Sequence, residues 1–504
     1  MTVLIRLIAI LTVVTLAVPG VAVSAQAADD AKCAGLAAQS PTGLTISEAV
    51  LVPAAAAVPA YCRVSGETAP HIRFQMRLPT TAWNGKFYQA GCGGFCGDFD
   101  ADKAGYSNTI GEAVKRGYAA IVTDNGHRGY LGDASWAVNN EEALAVFAET
   151  GIPLAHDTGT KIVQAFYGRA PKRSYFAGCS NGGRMALMAA QRYPKMFDGI
   201  LAGAPVLHLT HNGGLYGTWI LQKNIAADGS LIIGPDFNAK LGRLHAEVLR
   251  QCTAVTDPQH VVITDSRACT FDAKKLPHCA PAQNTPDCFT DAERGTVAAF
   301  YAGPSNTKGQ RLYTGTPLGS EPYWPVWLTG TPRSRAVGMD LGRDYLKMAF
   351  APNEPNPPRD AKSFDFDRDP PRLAARAGAF DATDPNLAPF QKAGGKMIMY
   401  QGWADPVVLP ERTVTYYEDA AKAAGGLDNL QRFVRLFMIA GAGHCWEMPS
   451  PGPDQFDPIA ALENWVERGK APESIPIAQV AKDGTVQRRA SLRPYPLLEA
   501  FEPQ

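Results

Sequence analysis

The sequence lacks net charge: 48 Lys and Arg stand against 48 Asp and Glu in 504 residues. With no long-range field to draw polyanions, neither nucleic acid nor an anionic membrane surface is expected as a partner. Beyond the N-terminus no stretch approaches 18 uninterrupted apolar residues, which excludes a bundle of membrane-spanning helices. No internal repeat at fixed period occurs, and no low-complexity tract beyond the proline-rich run 352–358, so solenoid, collagen-like and disordered classes fall away. There is no CxxC pair and histidine does not cluster beside the cysteines, so no zinc site is expected there. What remains is ordinary globular composition, 46% hydrophobic and 19% charged. The length suits two or three domains, or one large core with a sizeable insertion.

The N-terminus carries the one apolar run. Arg6 precedes residues 7–23, broken by Pro19-Gly20, and Ala25-Gln26-Ala27 has the small-x-small pattern of a signal-peptidase site. Residues 1–27 therefore read as an export signal cleaved near Ala27, and the mature protein is expected to be periplasmic or secreted. No cysteine stands at the cleavage point to take a lipid. Ten cysteines, an even number, then read as disulfides rather than thiolates. The pairs Cys92 and Cys96, Cys252 and Cys269, and Cys279 and Cys288 are close enough in sequence to bridge at low entropic cost. Spacing alone does not choose among the pairings.

From about residue 66, short β-type runs alternate with helical runs, the pattern of a mostly parallel sheet covered on both faces. Residues 71–78 alternate as a strand, and Asn84-Gly85 reads as the turn of a hairpin into Lys86–Ala90. Further strands are expected at 118–123, 173–177, 396–400 and 433–439, and helices at 158–167 and from Asp457-Pro458 to the stop at Gly469. Between 207 and 389 the texture changes: four cysteines, many prolines and little periodicity. This stretch reads as a lid inserted into a catalytic core made of 28–206 and 390–504, at a loop where extra chain disturbs the core least.

The strongest motif is Gly178-Cys179-Ser180-Asn181-Gly182, which fits G-x-S-x-G with a strand before it and a helix over about 182–192 after it. Ser180 is then the expected nucleophile, on a strained turn at a helix N-terminus that favours developing negative charge. A serine at its ordinary pKa needs a histidine base, itself oriented by a carboxylate. His444, after the expected strand 433–439, and Asp405, in Gly402-Trp403-Ala404-Asp405-Pro406, stand in the chain order Ser, Asp, His. Cys179 directly precedes Ser180 and Cys445 directly follows His444. If Ser180 and His444 meet, their neighbours approach the ~5.5 Å Cα separation of a disulfide, so a Cys179–Cys445 bond is expected. The oxyanion hole should use the N–H of Asn181 and a second from Gly91-Cys92-Gly93-Gly94-Phe95, with Gly93 and Gly94 both open.

These motifs, with Gly183-Arg184 and Gly443-His444-Cys445 and a cysteine-rich insertion between nucleophile and acid, resemble the tannase and feruloyl esterase family over nearly all the mature chain. The resemblance implies an α/β-hydrolase fold with a lid, a disulfide joining the two couplets, and Ser180, Asp405 and His444 as the triad. It also implies a small-molecule substrate, an ester of an aromatic acid such as a hydroxycinnamate, a gallate or a terephthalate monoester. Lids in the family often bind calcium through carboxylates. Here the matching positions hold Thr253, Thr256 and His260, so calcium is not expected, nor any metal or cofactor. Asp365, Asp367 and Asp369 imitate an EF-hand start but run into Pro370 and have Arg376 in place of the glutamate, so an exposed alternating strand is expected. Tyr323, Trp324, Trp327 and Phe350 suit either an aromatic substrate wall or the lid's own core. Two other functions share the motifs: an esterase for aliphatic polyesters or lipids, and a catalytically silent binding domain. The sequence does not specify an oligomeric state.

Overall fold

The computed structural model describes residues 25–501 except 39, 104, 258–261, 352, 446–454 and 482. Most of the expected export signal, 1–24, lies outside the described residues, and Ala25-Gln26-Ala27 opens the helix α1 (Ala25–Ala38). The strands β1 (Leu44–Val52), β2 (Tyr61–Thr68), β3 (Ile72–Pro79), β4 (Lys86–Ala90), β5 (Ala119–Thr123), β6 (Arg173–Cys179), β7 (Gly199–Gly203), β8 (Lys396–Gly402) and β9 (Val434–Ile439) form one nine-stranded sheet. Their order is β1-β2-β3-β5-β4-β6-β7-β8-β9. The first three strands and β5 pair antiparallel, and from β5 onward every pair is parallel. Helices cover both faces. Met185 of α3 (Asn181–Arg192) joins the core cluster containing Phe176, as does Ile162 of α2 (Gly151–Tyr167). Ile459, Leu462 and Trp465 of α4 (Pro458–Arg468) join the opposite cluster, with Tyr175 and Tyr400. The cap signals of α4 hold: Asp457 Oδ1 accepts from Ala460 N at 3.0 Å, and Gly469 takes φ 67°.

The expected hairpin between 71–78 and Lys86–Ala90 does not form. β5 lies between the two strands, pairing Gln75 with Val122 on one side and Tyr88 with Ala120 on the other. The reason is burial: Phe87 to Ala90 are buried throughout, and a strand apolar on both faces belongs inside a parallel sheet rather than in an edge hairpin. β1 and β2 escape the sequence reading because β1 is an edge strand with mixed exposure and no clean alternation. Also missed were Ile475–Val480 and Val486–Leu492, which build a separate four-stranded antiparallel sheet with Gln455–Phe456 and Ala500–Phe501.

Residues 207–389 leave the sheet after β7 and return before β8, two neighbouring parallel strands, and add no strand to it among the described residues. The segment has its own helices, Asn238–Gln251, Asp291–Ala302, Val337–Tyr345 and Pro370–Phe380. The expected strand at 365–369 is instead a run of turns: Phe364 and Phe366 alternate inward, but Asp369 is also buried. Its carboxylate accepts from Asp365 N and from Arg368 and Arg372, and these local bonds close a turn that an extended strand would not make. Five disulfides use all ten cysteines: the three short bridges, Cys179–Cys445, and Cys33–Cys62, which ties α1 to β2.

Two histidines make the fold sensitive to acid. His156 of α2 stands edge-on to Phe87 and Phe197, with ring centroids at 5.4 and 5.0 Å, and burial pushes its pKa down to about 4. His127 stacks on Trp136 at 3.6 Å and is lowered to about 4 by the same cause. Between pH 4 and 6.5 the unfolded chain therefore binds more protons than the folded one, so stability is complete above 6.5 and falls as pH drops toward 4. The loss should reach on the order of 2–3 kcal/mol per histidine at the acid end. Urea unfolding of wild type and His156→Gln across that window checks it: the variant should show a visibly shallower decline, and equal slopes would remove His156 from the account.

Candidate active site

Ser180 sits between β6 and α3 at φ 64°, ψ −123°, a conformation L-residues rarely adopt. The flanking glycines make the turn possible. A Cβ on Gly178 would lie 2.5 Å from the Gly182 carbonyl carbon, so any side chain there would force the turn apart. Ser107, which sequence reasoning missed, fixes the turn from outside: its Oγ donates to Cys179 O at 2.9 Å and accepts from Cys179 N at 2.7 Å.

Asp405 and His444 occupy the loops after β8 and β9, adjacent strands whose ends stay bonded through Trp403 N to Ile439 O and Ala404 N to Ala442 O. His444 Nδ1 lies 2.7 Å from Asp405 Oδ2, with both side chains almost fully buried. The carboxylate is saturated: Oδ1 accepts from the N–H groups of Val407 and Val408, and Oδ2 also accepts from Gln401 Nε2 at 2.9 Å. The loop after Asp405 is held in turn by the insertion, since Tyr216 Oη donates to Pro406 O and Asn212 Nδ2 to Val407 O. Cys179 and Cys445 are bonded at a Cα separation of 5.9 Å, so the His444 loop is joined covalently to the turn that carries Ser180.

The glycine loop after β4 lies beside this turn. Asn181 Nδ2 donates to Cys92 O and Cys96 Sγ, and Arg184 Nε donates to Asn181 Oδ1 at 2.7 Å. Gly93 N–H donates to Asn108 Oδ1 at 2.6 Å, whereas Gly94, at φ 57°, lines the cavities on both sides of Ser180. His127 braces the loop through its contact with Phe95 O at 2.7 Å. Neither Asn108 nor His127 carries a local sequence signal for this role.

Two cavities meet at Ser180. One is a narrow apolar pocket of about 60 Å³ lined by Val206, Tyr216, Ile220, Leu341, Val407 and Val408. The other is a larger cleft of about 550 Å³ that also contains His444 and is edged by polar residues, among them Asp98, Asp100, Lys103 and Asn108. Leu341, from the insertion, faces both. Of the four aromatics in question, Trp324, Tyr323 and Phe350 are buried, Trp324 against Phe300 and Tyr301. Of the four, only Trp327 lines the cleft, its ring edge-on to His444 at 5.0 Å, while Tyr323 Oη donates to Gly441 O in the His444 loop.

With this geometry in place, the sequence model described as tannase and feruloyl esterase matches residues 55–504. The chain belongs to this family. It is accordingly a carboxylic ester hydrolase with a small-molecule ester substrate. Among relatives of this esterase, an uncharacterized esterase of Xanthomonas campestris pv. campestris is 34% identical over 93% of this chain and 88% of its own. The mono(2-hydroxyethyl) terephthalate hydrolase of Piscinibacter sakaiensis is 32% identical over 89% of this chain and 83% of its own. The crystal structure of feruloyl esterase B from Aspergillus oryzae superposes with a TM-score of 0.78 at 25% identity, covering 93% of this chain and 96% of that one. At the positions considered for calcium, Thr253 and Thr256 carry hydroxyls in place of carboxylates, and His260 lies outside the described residues. In the described residues, no helix is long and apolar enough to cross a membrane.

Proposed function

We propose that this member of the family is an exported serine esterase that cleaves esters of small aromatic acids through an acyl-enzyme on Ser180. The observation that carries the reading is the His444–Asp405 contact at 2.7 Å, in a loop joined by Cys179–Cys445 to the turn bearing Ser180. Asp405 accepts a hydrogen bond from His444 Nδ1–H, which keeps the Nε2 lone pair free to take the proton from Ser180 Oγ as it attacks the ester carbonyl. The developing oxyanion is received by the N–H groups of Asn181, at the open N-terminus of α3, and Gly94, a choice over Gly93 supported by the Gly93 N–H donating to Asn108 Oδ1. His444 then protonates the leaving alcohol, which departs through the larger polar cleft. Water, deprotonated by His444, releases the acid. No cofactor takes part.

The narrow apolar pocket suits a flat acyl group, and the relatives named for feruloyl esters and for mono(2-hydroxyethyl) terephthalate act on esters of aromatic acids. Export agrees with five disulfides, which persist in oxidising compartments. A comparison of methyl ferulate, methyl gallate and a terephthalate monoester with methyl butyrate tests the substrate class. At least one aromatic ester should exceed methyl butyrate in kcat/KM by about 100-fold, the worth of ~3 kcal/mol of ring burial. A preference for methyl butyrate would favour the aliphatic reading instead.

A further inference from the structure

We propose that His208, His211 and Asp381 form a binding site for a divalent transition metal of the zinc type, placed where the chain enters and leaves the 207–389 segment. Their ligand atoms lie within 4.8 Å of one another, and His208 Nε2 is 3.5 Å from Asp381 Oδ2. A tetrahedral ion with bonds near 2.1 Å needs ligand-to-ligand edges of about 3.4 Å, so one edge is already in place and the others close by rotation of an imidazole.

The hydrogen bonds around the cluster prepare it for a metal. Thr210 Oγ1 lies 2.6 Å from Asp381 Oδ2 and 3.1 Å from His211 Nδ1. An ionised carboxylate only accepts, so the single hydroxyl proton goes to Asp381, and the hydroxyl oxygen must accept from His211 Nδ1–H. That fixes the tautomer of His211 with its lone pair on Nε2, the arrangement in which a hydrogen bond to one ring nitrogen presents the other to a metal. Thr210 N–H donates to Asp381 Oδ1, which leaves lone pairs on the carboxylate for one further bond. The His208 side chain is 23% exposed, giving an entry path and room for a water as fourth ligand. Two imidazoles and one carboxylate select zinc-like ions over calcium or magnesium, which want oxygen cages. The buried Arg184 and the half-buried Arg412, the latter 5.4 Å over the Tyr313 ring that packs against both histidines, oppose the cation and set a moderate affinity.

The two passages already touch, through Ala382 N to Leu207 O at 2.7 Å. Leu209 and Asn212, on the first passage, line the apolar pocket beside Ser180. A bound ion would therefore tie the insertion to its seat without entering the ester chemistry, and the site stands independently of the roles given to Ser180 and His444.

Chelator-treated, disulfide-intact full-length protein is titrated with zinc, calcium and magnesium chloride by calorimetry, with metal content measured after desalting. Wild type should take up one zinc per chain and neither hard cation, and zinc should raise its thermal midpoint. The double variant His208→Ala/His211→Ala and, separately, Asp381→Asn should each bind zinc about tenfold or more weakly. The asparagine variant keeps a side chain of the same shape, guarding against loss of fold as the explanation. Absence of stoichiometric zinc in wild type, or undiminished binding in both variants, overturns the proposal.

Discussion

Ser180→Ala is expected to lower kcat by about five to six orders of magnitude while leaving the thermal midpoint essentially unchanged. The large effect follows from the chemistry: without Oγ no acyl-enzyme forms, and only positioning and the oxyanion N–H groups remain to assist attack by water. The small structural effect follows from the packing. The turn is held by Cys179 to Ser107, by Ser180 N to Gly203 O and by the Cys179–Cys445 bond, none of which uses the hydroxyl. Turnover of aromatic and aliphatic esters, measured beside thermal unfolding, separates the two. Activity within tenfold of wild type would show that another group is the nucleophile.

Asp405→Asn should be nearly as damaging to kcat, by about four orders of magnitude, and should also destabilise the protein. Four donors converge on this carboxylate: Val407 N and Val408 N on Oδ1, Gln401 Nε2 and His444 Nδ1 on Oδ2. An asparagine must turn its NH₂ toward one pair of them. Facing the backbone, it leaves two buried N–H groups unpaired, at about 1–3 kcal/mol each. Facing His444, it makes Nδ1 the acceptor, so the proton moves to Nε2 and the ring can no longer take one from Ser180. Either orientation is costly, and rate and stability should fall together. A variant with wild-type kcat would remove Asp405 from the mechanism.

Much of the site was legible because its signals are local. G-x-S-x-G demands a tight turn wherever it stands between strand and helix, and the Gly178 contact with Gly182 shows why. The couplets Cys179-Ser180 and His444-Cys445 carried the long-range bond, since a disulfide between neighbours of two residues expected to meet has few alternatives. Residues whose importance depends on partners far along the chain were not legible. Ser107 and Asn108 carry no motif, yet one is bonded to both backbone groups of Cys179 beside Ser180 and the other accepts the Gly93 N–H. His208 and His211 are three apart, but the carboxylate that completes the cluster lies 171 residues beyond Thr210. In the fold, the misread hairpin has the same origin. Asn84-Gly85 does turn the chain, Lys86 N donating to Asn84 Oδ1, but which strand then lies alongside was decided by burial on both faces of β4, not by the turn.

Whether ester cleavage passes through Ser180 activated by His444 is decided by covalent labelling with p-nitrophenyl diethyl phosphate, a mimic that phosphorylates an activated serine and stops there. Peptide mass mapping alongside activity assays should find one diethylphosphoryl group per chain, on Ser180, with activity falling in proportion to labelling and no labelling in a His444→Gln variant. Complete inactivation with the label on another residue, or full activity in protein labelled at Ser180, would contradict this route.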